Sequence, residues 1–277
     1  MSQYYNYKTG VFILLMSLVA YLILIIGFYY NDALMGNTPQ AARYIVLGFF
    51  ELLLLLPVLF YVVGNGKSVK HAFRLKPVSW RSLRDIVFVA VGLFFLVELI
   101  QYLTNAVFHA EPVQIADIKV MYPMNFILIF LVSGVIAPIV EEAVFRGYLL
   151  RVMLRSRFTP LVAILVTSAF FALSHLSYQN APAIFAAGLI LGFVAYSFYS
   201  IVPGIIIHGL FNIMVLVDVN LPQIREQIFY AKAFVPWVLL AGGLLMLAAG
   251  LWNIKHKVVI HRRRRDSKEE GVGDEKQ

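Results

Sequence analysis

The sequence predicts an all-α, polytopic transmembrane bundle of about eight helices with both termini in the cytoplasm. Three observations predict it. First, hydrophobic residues make up 61% of the 277 residues and charged residues only 14%. A soluble domain carries roughly 25% charged residues, so this apolar excess calls for lipid as the solvent. Second, apolar runs of about 20 residues, enough to cross a bilayer, recur along the whole chain. Third, the segments between those runs alternate between basic and non-basic.

The runs lie at about 11–30, 43–63, 85–107, 124–147, 159–176, 182–200, 203–219 and 233–253. The first follows MSQYYNYKTG, whose charged part is a single lysine and which leads to no small-residue cleavage site. It therefore reads as a retained helix and not as a secretory signal. Segment 64–84 carries Lys67, Lys70, Arg74, Lys76, Arg81 and Arg84, the stretch after the fourth run carries Arg151, Arg155 and Arg157, and the tail carries Lys255, Lys257 and Arg262 to Arg265. Segments 31–42, 108–123, 177–181 and 220–232 are poor in lysine and arginine. The positive-inside rule places the basic segments, and with them both termini, in the cytoplasm.

Four regions follow: three N-terminal transmembrane helices in 1–120, a core in 121–220, a last transmembrane helix in 221–254, and a basic-then-acidic tail in 255–277. The tail HRRRRDSKEEGVGDEKQ is too polar to bury a core and reads as disordered, with its arginines at anionic lipid headgroups. The net charge of +8 is what cytoplasmic basic loops give a membrane protein, and nucleic acid is not an expected partner. The sequence has no cysteine, which excludes disulfides, thiolate chemistry and Cys-ligated zinc. No repeat of solenoid period and no inverted repeat of the transporter kind is present. The expected location is a multi-pass position in the plasma membrane of a prokaryote.

An ionisable group in a membrane helix costs about 2.5–3.5 kcal/mol on insertion scales, so each one is informative. Away from the ends of the runs they are Glu51, Glu98, Glu141, Glu142, Arg146, His175 and His208, and Asn212 is polar without charge. Glu51 and Glu98 stand apart from the others and read as interhelical hydrogen-bonding groups. The rest fall into three short motifs.

In Glu141-Glu142-Ala-Val-Phe-Arg146, residues 142 and 146 are four apart with the acid first, the favourable order for an ion pair on a helix. Glu141 sits about 100° round the helix from Glu142, so it points elsewhere and is the carboxylate left free. The alternative is one interhelical clamp of all three charges. In Phe171-Ala-Leu-Ser-His175 the ring and the imidazole share a helix face; alone, such a histidine reads first as packing. In His208-Gly-Leu-Phe-Asn212 two hydrogen-bond donors share a face, which suits either a developing oxyanion or a helix–helix hydrogen bond.

Hydrolysis of a peptide bond within a bilayer needs an activated water or a nucleophile. The sequence has no cysteine, no serine in a nucleophile-elbow motif, no Asp pair in facing helices and no HExxH. A carboxylate and a histidine sharing a water remain. In that arrangement Glu141 is the general base, His175 assists it, His208 and Asn212 hold the oxyanion, and Arg146 holds Glu142. The depths agree in part. Glu141 lies about 21 Å from Arg155 and His175 about 22 Å from Pro160 along neighbouring antiparallel helices. His208 is only about 6–8 Å from Pro203–Gly204. Either the fourth and fifth helices overhang the cytoplasmic face, or the sixth and seventh are broken.

At these motifs the sequence resembles a known family. Ala137-Pro138-Ile-Val-Glu141-Glu142-Ala-Val-Phe145-Arg146-Gly147-Tyr148-Leu149, then Phe171-xxx-His175, then His208-xxx-Asn212 are similar to the three signatures of the CPBP family. These are the CAAX proteases and bacteriocin-processing enzymes, also called Abi, with the Rce1-type prenyl-protein proteases among them. The resemblance covers about residues 124–217. It implies an all-helical intramembrane fold and a metal-independent glutamic endopeptidase, in which Glu141 matches the catalytic glutamate, His175 its partner, His208 and Asn212 the oxyanion-side pair, and Arg146 the motif arginine. Glu142 and Phe171 are supporting residues. The expected partners are membrane lipid and a protein or peptide substrate arriving from the membrane or the cytoplasmic side, and no cofactor is expected. Two alternatives stay open: a zinc metalloprotease using Glu141, His175 and His208, and a non-catalytic immunity or membrane regulatory protein of the same fold.

Overall fold

The computed structural model of the chain describes residues 7–29, 38–66, 68–108, 123–156, 158–220 and 235–274. Every regular element among them is a helix. In lipid a backbone without internal hydrogen bonds has no water to turn to, so each apolar run winds into a helix. The helices are α1 (Tyr7–Tyr29), α2 (Gln40–Gly64), the one-turn α3 (Val69–Ala72), α4 (Trp80–Phe108), α5 (123–155), α6 (Pro160–Ser174), α7 (Ala181–Phe198), α8 (Val202–Asn220) and α9 (Val235–Asp274). All eight apolar runs thus carry a helix. Six helices are long and apolar enough to cross a membrane, while α6, also apolar, has 15 residues. Their outer faces carry bare apolar side chains such as Phe60 and Leu245, a surface that lipid covers. Most of the segments read as poor in basic residues at 31–42, 108–123 and 220–232 lie outside the described residues, as do Lys67 and Arg157.

The helix that starts at Val235 continues through the arginines to Asp274. Arg, Lys and Glu are good helix formers, and a helix already running needs no new nucleus to extend into them.

Packing follows the sequence periodicities. On α2 the buried residues Gln40, Tyr44, Gly48, Glu51, Leu54, Val58 and Val62 recur every three or four positions and form one stripe facing the bundle. Small residues set the closest crossings, as expected where helices pack within lipid. At the α4–α9 crossing a Cβ on Gly92 would stand 2.4 Å from Leu247 Cβ and 2.6 Å from the Gly243 carbonyl oxygen. Polar ties join other pairs: Asn125 Nδ2 donates to Gln40 Oε1 at 2.6 Å, and Asn253 Nδ2 to the buried Asp85 at 3.2 Å.

The depth conflict resolves in favour of overhang. α7 and α8 run unbroken, and Gly204, in the first turn of α8, lies against Glu142 of α5. Arg155, the end of α5, is 13 residues beyond Glu142, or roughly 20 Å. The α7–α8 turn therefore stops well short of the end of α5. Segment 68–79 fills the step. Arg151 of α5 donates to the carbonyls of His71 and Ala72, Phe73 packs on Gly147, and Ser200 of the turn donates to the Lys76 carbonyl at 2.7 Å. Arg74, with a left-handed φ of 54°, lays its guanidinium 4.5 Å over the Tyr199 ring.

Gly92→Ala places a methyl group against rigid neighbours. It is expected to destabilise the protein by about 1–3 kcal/mol, the usual size of overpacking, and thermal unfolding of the detergent-solubilised variant measures this.

Candidate active site

The site is built on α5, and α5 is irregular where it matters. Its α-helical parts Pro123–Leu131, Ala137–Glu141 and Leu150–Arg155 are separated by π-helical turns at Val132–Ile136 and Glu142–Leu149. The first turn has a local cause. The Ala137 N–H reaches back to the Val132 carbonyl, and Pro138 has no N–H to offer Ser133. The orphaned Ser133 carbonyl is met from another helix, by Asn212 Nδ2 of α8 at 2.8 Å.

Glu142 and Arg146 form the expected ion pair, with Arg146 Nη1 donating to Glu142 Oε1 at 2.8 Å and both side chains buried. Other elements complete the shell. Arg146 Nη2 donates to the Gly188 carbonyl of α7 at 3.3 Å, and its guanidinium stands 4.2 Å from the centre of the Phe171 ring. Glu142 Oε2 faces Gly204, where a Cβ would come within 2.7 Å. The carboxylate thus sits at the positive end of the α8 macrodipole. Phe171 is the hub, since Phe145, His175 and His208 all meet its ring edge to face, at 5.3, 4.8 and 5.8 Å between centroids.

Glu141 does not point wholly elsewhere. His208 stands between the two glutamates, with Nε2 3.6 Å from Glu141 Oε2 and Nδ1 3.4 Å from Glu142 Oε1. The two ring nitrogens lie on different edges, so one imidazole reaches two adjacent residues whose directions diverge by about 100°. Glu141 differs from Glu142 in access. It lines a cavity of about 580 Å³ together with Phe145, His175 and residues of α1 and α2. His175 follows the last turn of α6, and its Nδ1 donates to the Phe171 carbonyl at 2.8 Å. That bond places the hydrogen on Nδ1 and leaves Nε2 available as an acceptor. The cavity adjoins the C-terminal end of α6, remote from the basic segments near Pro160.

The structure thus brings Glu141, Glu142, Arg146, Phe171 and His208 together and sets His175 beside Glu141 on one cavity. Asn212 is the exception: one amide hydrogen is spent on Ser133, the helix–helix role left open for it, and the second remains. A zinc centre needs three converging protein donors. Among the described residues no three His, Cys, Asp or Glu side chains form a group that could hold a metal ion. Gly188 and Gly204 belong to the shell and were missed. Small residues in helices that carry motif histidines were the available signal.

Two substitutions test the shell. Arg146→Met strands a buried carboxylate and is expected to cost about 3–5 kcal/mol, with Glu142→Gln in the same chain restoring much of it; thermal melts of the three proteins check this. Gly204→Ala, with its methyl group against Glu142 Oε2, is expected to cost about 1–3 kcal/mol by the same assay.

Comparison with known proteins agrees with the signatures. A family model described as type II CAAX prenyl endopeptidase Rce1-like matches residues 123–214, which span α5 to most of α8. No curated protein and no solved structure matches the chain. The matched segment holds every residue of the Glu142–Arg146 shell together with Glu141 and both histidines, and over it the chain is similar to the Rce1-like proteins of the CAAX protease family.

Proposed function

We propose that this chain is an intramembrane endopeptidase that hydrolyses a peptide bond of a membrane-associated or lipidated protein or peptide, using water activated by Glu141. One observation carries the reading: of two adjacent carboxylates, Glu142 is closed off by Arg146 while Glu141 lines an open cavity beside His175. The first is structural and the second is available to a substrate.

In this reading a water lies between Glu141 and His175 Nε2. Glu141 takes a proton from it as the water oxygen bonds to the scissile carbonyl carbon. The charge that develops on the carbonyl oxygen is met by an N–H of His208 and the second amide hydrogen of Asn212. The C–N bond then breaks as the proton held by Glu141 passes to the departing amine nitrogen, and the carboxylate is restored. Arg146 takes no part in proton transfer; it holds Glu142 and so keeps His208 in place. The cavity is walled by α1, α2 and the end of α6, which favours a substrate that arrives through the membrane.

The test is cleavage by protein reconstituted in liposomes. One probe is an internally quenched peptide with a prenylated cysteine near its C-terminus, and a second is an unlipidated apolar peptide. Glu141→Gln is expected to lower turnover by about 10²–10⁴-fold and His175→Ala to lower it as well, while Glu98→Gln leaves it unchanged. Undiminished cleavage by Glu141→Gln overturns the reading.

A further inference from the structure

The cavity has a second acidic wall that the reaction does not use. Glu51 of α2 is 9% exposed and lines the same cavity as Glu141. Its Oε1 accepts a hydrogen bond from the Tyr21 hydroxyl of α1 at 2.8 Å. Its Oε2 is buried and has no hydrogen-bond partner. Here one oxygen is anchored and the other is buried without a partner, on a side chain that lines the cavity. Both residues lie outside the 123–214 match.

The chemistry of an occupant follows from the rest of the lining. Ile25, Ile26, Leu47 and Leu54 are aliphatic, and no lysine or arginine is among the described lining residues. Glu51 and Glu141 line the same cavity, so a cation bound there offsets the cost of ionising buried carboxyl groups. A group with a positive head and an aliphatic stem matches both features. A guanidinium pairs best with two carboxylate oxygens, and Tyr21 already holds one of them. A single free oxygen suits the point charge of an ammonium group.

We propose that Tyr21 and Glu51 form a binding subsite, in the cavity that Glu141 also lines, for the protonated amine of a substrate lysine side chain. The subsite rests on the hydrolase reading only in that its occupant is the substrate peptide.

Binding is therefore measured apart from turnover. Full-length protein carrying Glu141→Gln is placed in lipid nanodiscs, and fluorescence anisotropy follows three dye-labelled apolar peptides that differ at one central position: lysine, arginine or norleucine. In this background Glu51 is the remaining carboxyl group of the cavity. The lysine peptide is expected to bind about tenfold or more tightly than the norleucine peptide, the size of one charge-assisted hydrogen bond, with arginine between them. Adding Glu51→Gln, a near-isosteric change, is expected to erase the advantage, and Tyr21→Phe to reduce it; thermal melts confirm that both variants fold. Equal affinity for lysine and norleucine peptides, failure of both to bind, or an advantage that survives Glu51→Gln overturns the subsite. A lysine advantage without cleavage by the unsubstituted protein keeps the subsite and removes the hydrolase, and cleavage without a lysine advantage does the reverse.

Discussion

An ionised carboxylate and a guanidinium buried in a helix bundle are each costly alone and tolerable only when paired, and the helices around Glu142 and Arg146 are placed about that pair. Arg146 takes its second acceptor from the Gly188 carbonyl and its aromatic contact from Phe171, so α7 and α6 are drawn to α5 at the same level. Glu142 takes the bare backbone of Gly204, so α8 must begin at that depth. A side chain at Gly204 would push the first turn of α8 away and carry His208, one turn further on, out of reach of both glutamates. The pair is thus less a source of net stability than a gauge of register among four helices.

The short reach of α7 and α8 follows from the same constraint. If α8 starts level with Glu142, the remaining turns of α5 project past it and leave backbone uncovered. Segment 68–79 closes that step, and its contacts are mostly with backbone carbonyls: Arg151 to His71 and Ala72, and Ser200 to Lys76. Its arginines and lysines had been read only as topology markers. Arg74 has a second use, since its ring contact with Tyr199 joins the loop to the turn that sets the depth of His208.

The helices were legible because lipid imposes one solution on an apolar run, and the Glu142–Arg146 pair was legible because residues four apart on a helix meet. The reach of His208 to both glutamates was not, because ideal helix angles describe Cβ directions and ignore the width of an imidazole ring. Asn212 was ambiguous for a different reason. Its partner is a carbonyl orphaned by Pro138, and that vacancy exists only because of a π-turn that no periodicity announces. Glu51 was seen as costly and assigned to helix packing. Its hydrogen bond to Tyr21 fits that role, but its position on the wall facing Glu141 depends on a crossing of α1 and α2 that the sequence does not state.

These placements separate chemistry from recognition. Glu141, the histidines and the charged shell all lie on α5, α6 and α8, braced by α7, and each depends on contacts within that group. The opposite wall of the cavity, from α1 and α2, contributes only Tyr21, Glu51 and aliphatic side chains. No member of the Arg146 shell lies on it. Changes on that wall alter what fits against Glu141 without moving the gauge that sets its geometry. On the proposed reading, a bundle built this way can keep one hydrolytic centre while changes in α1 and α2 alter what fits against it.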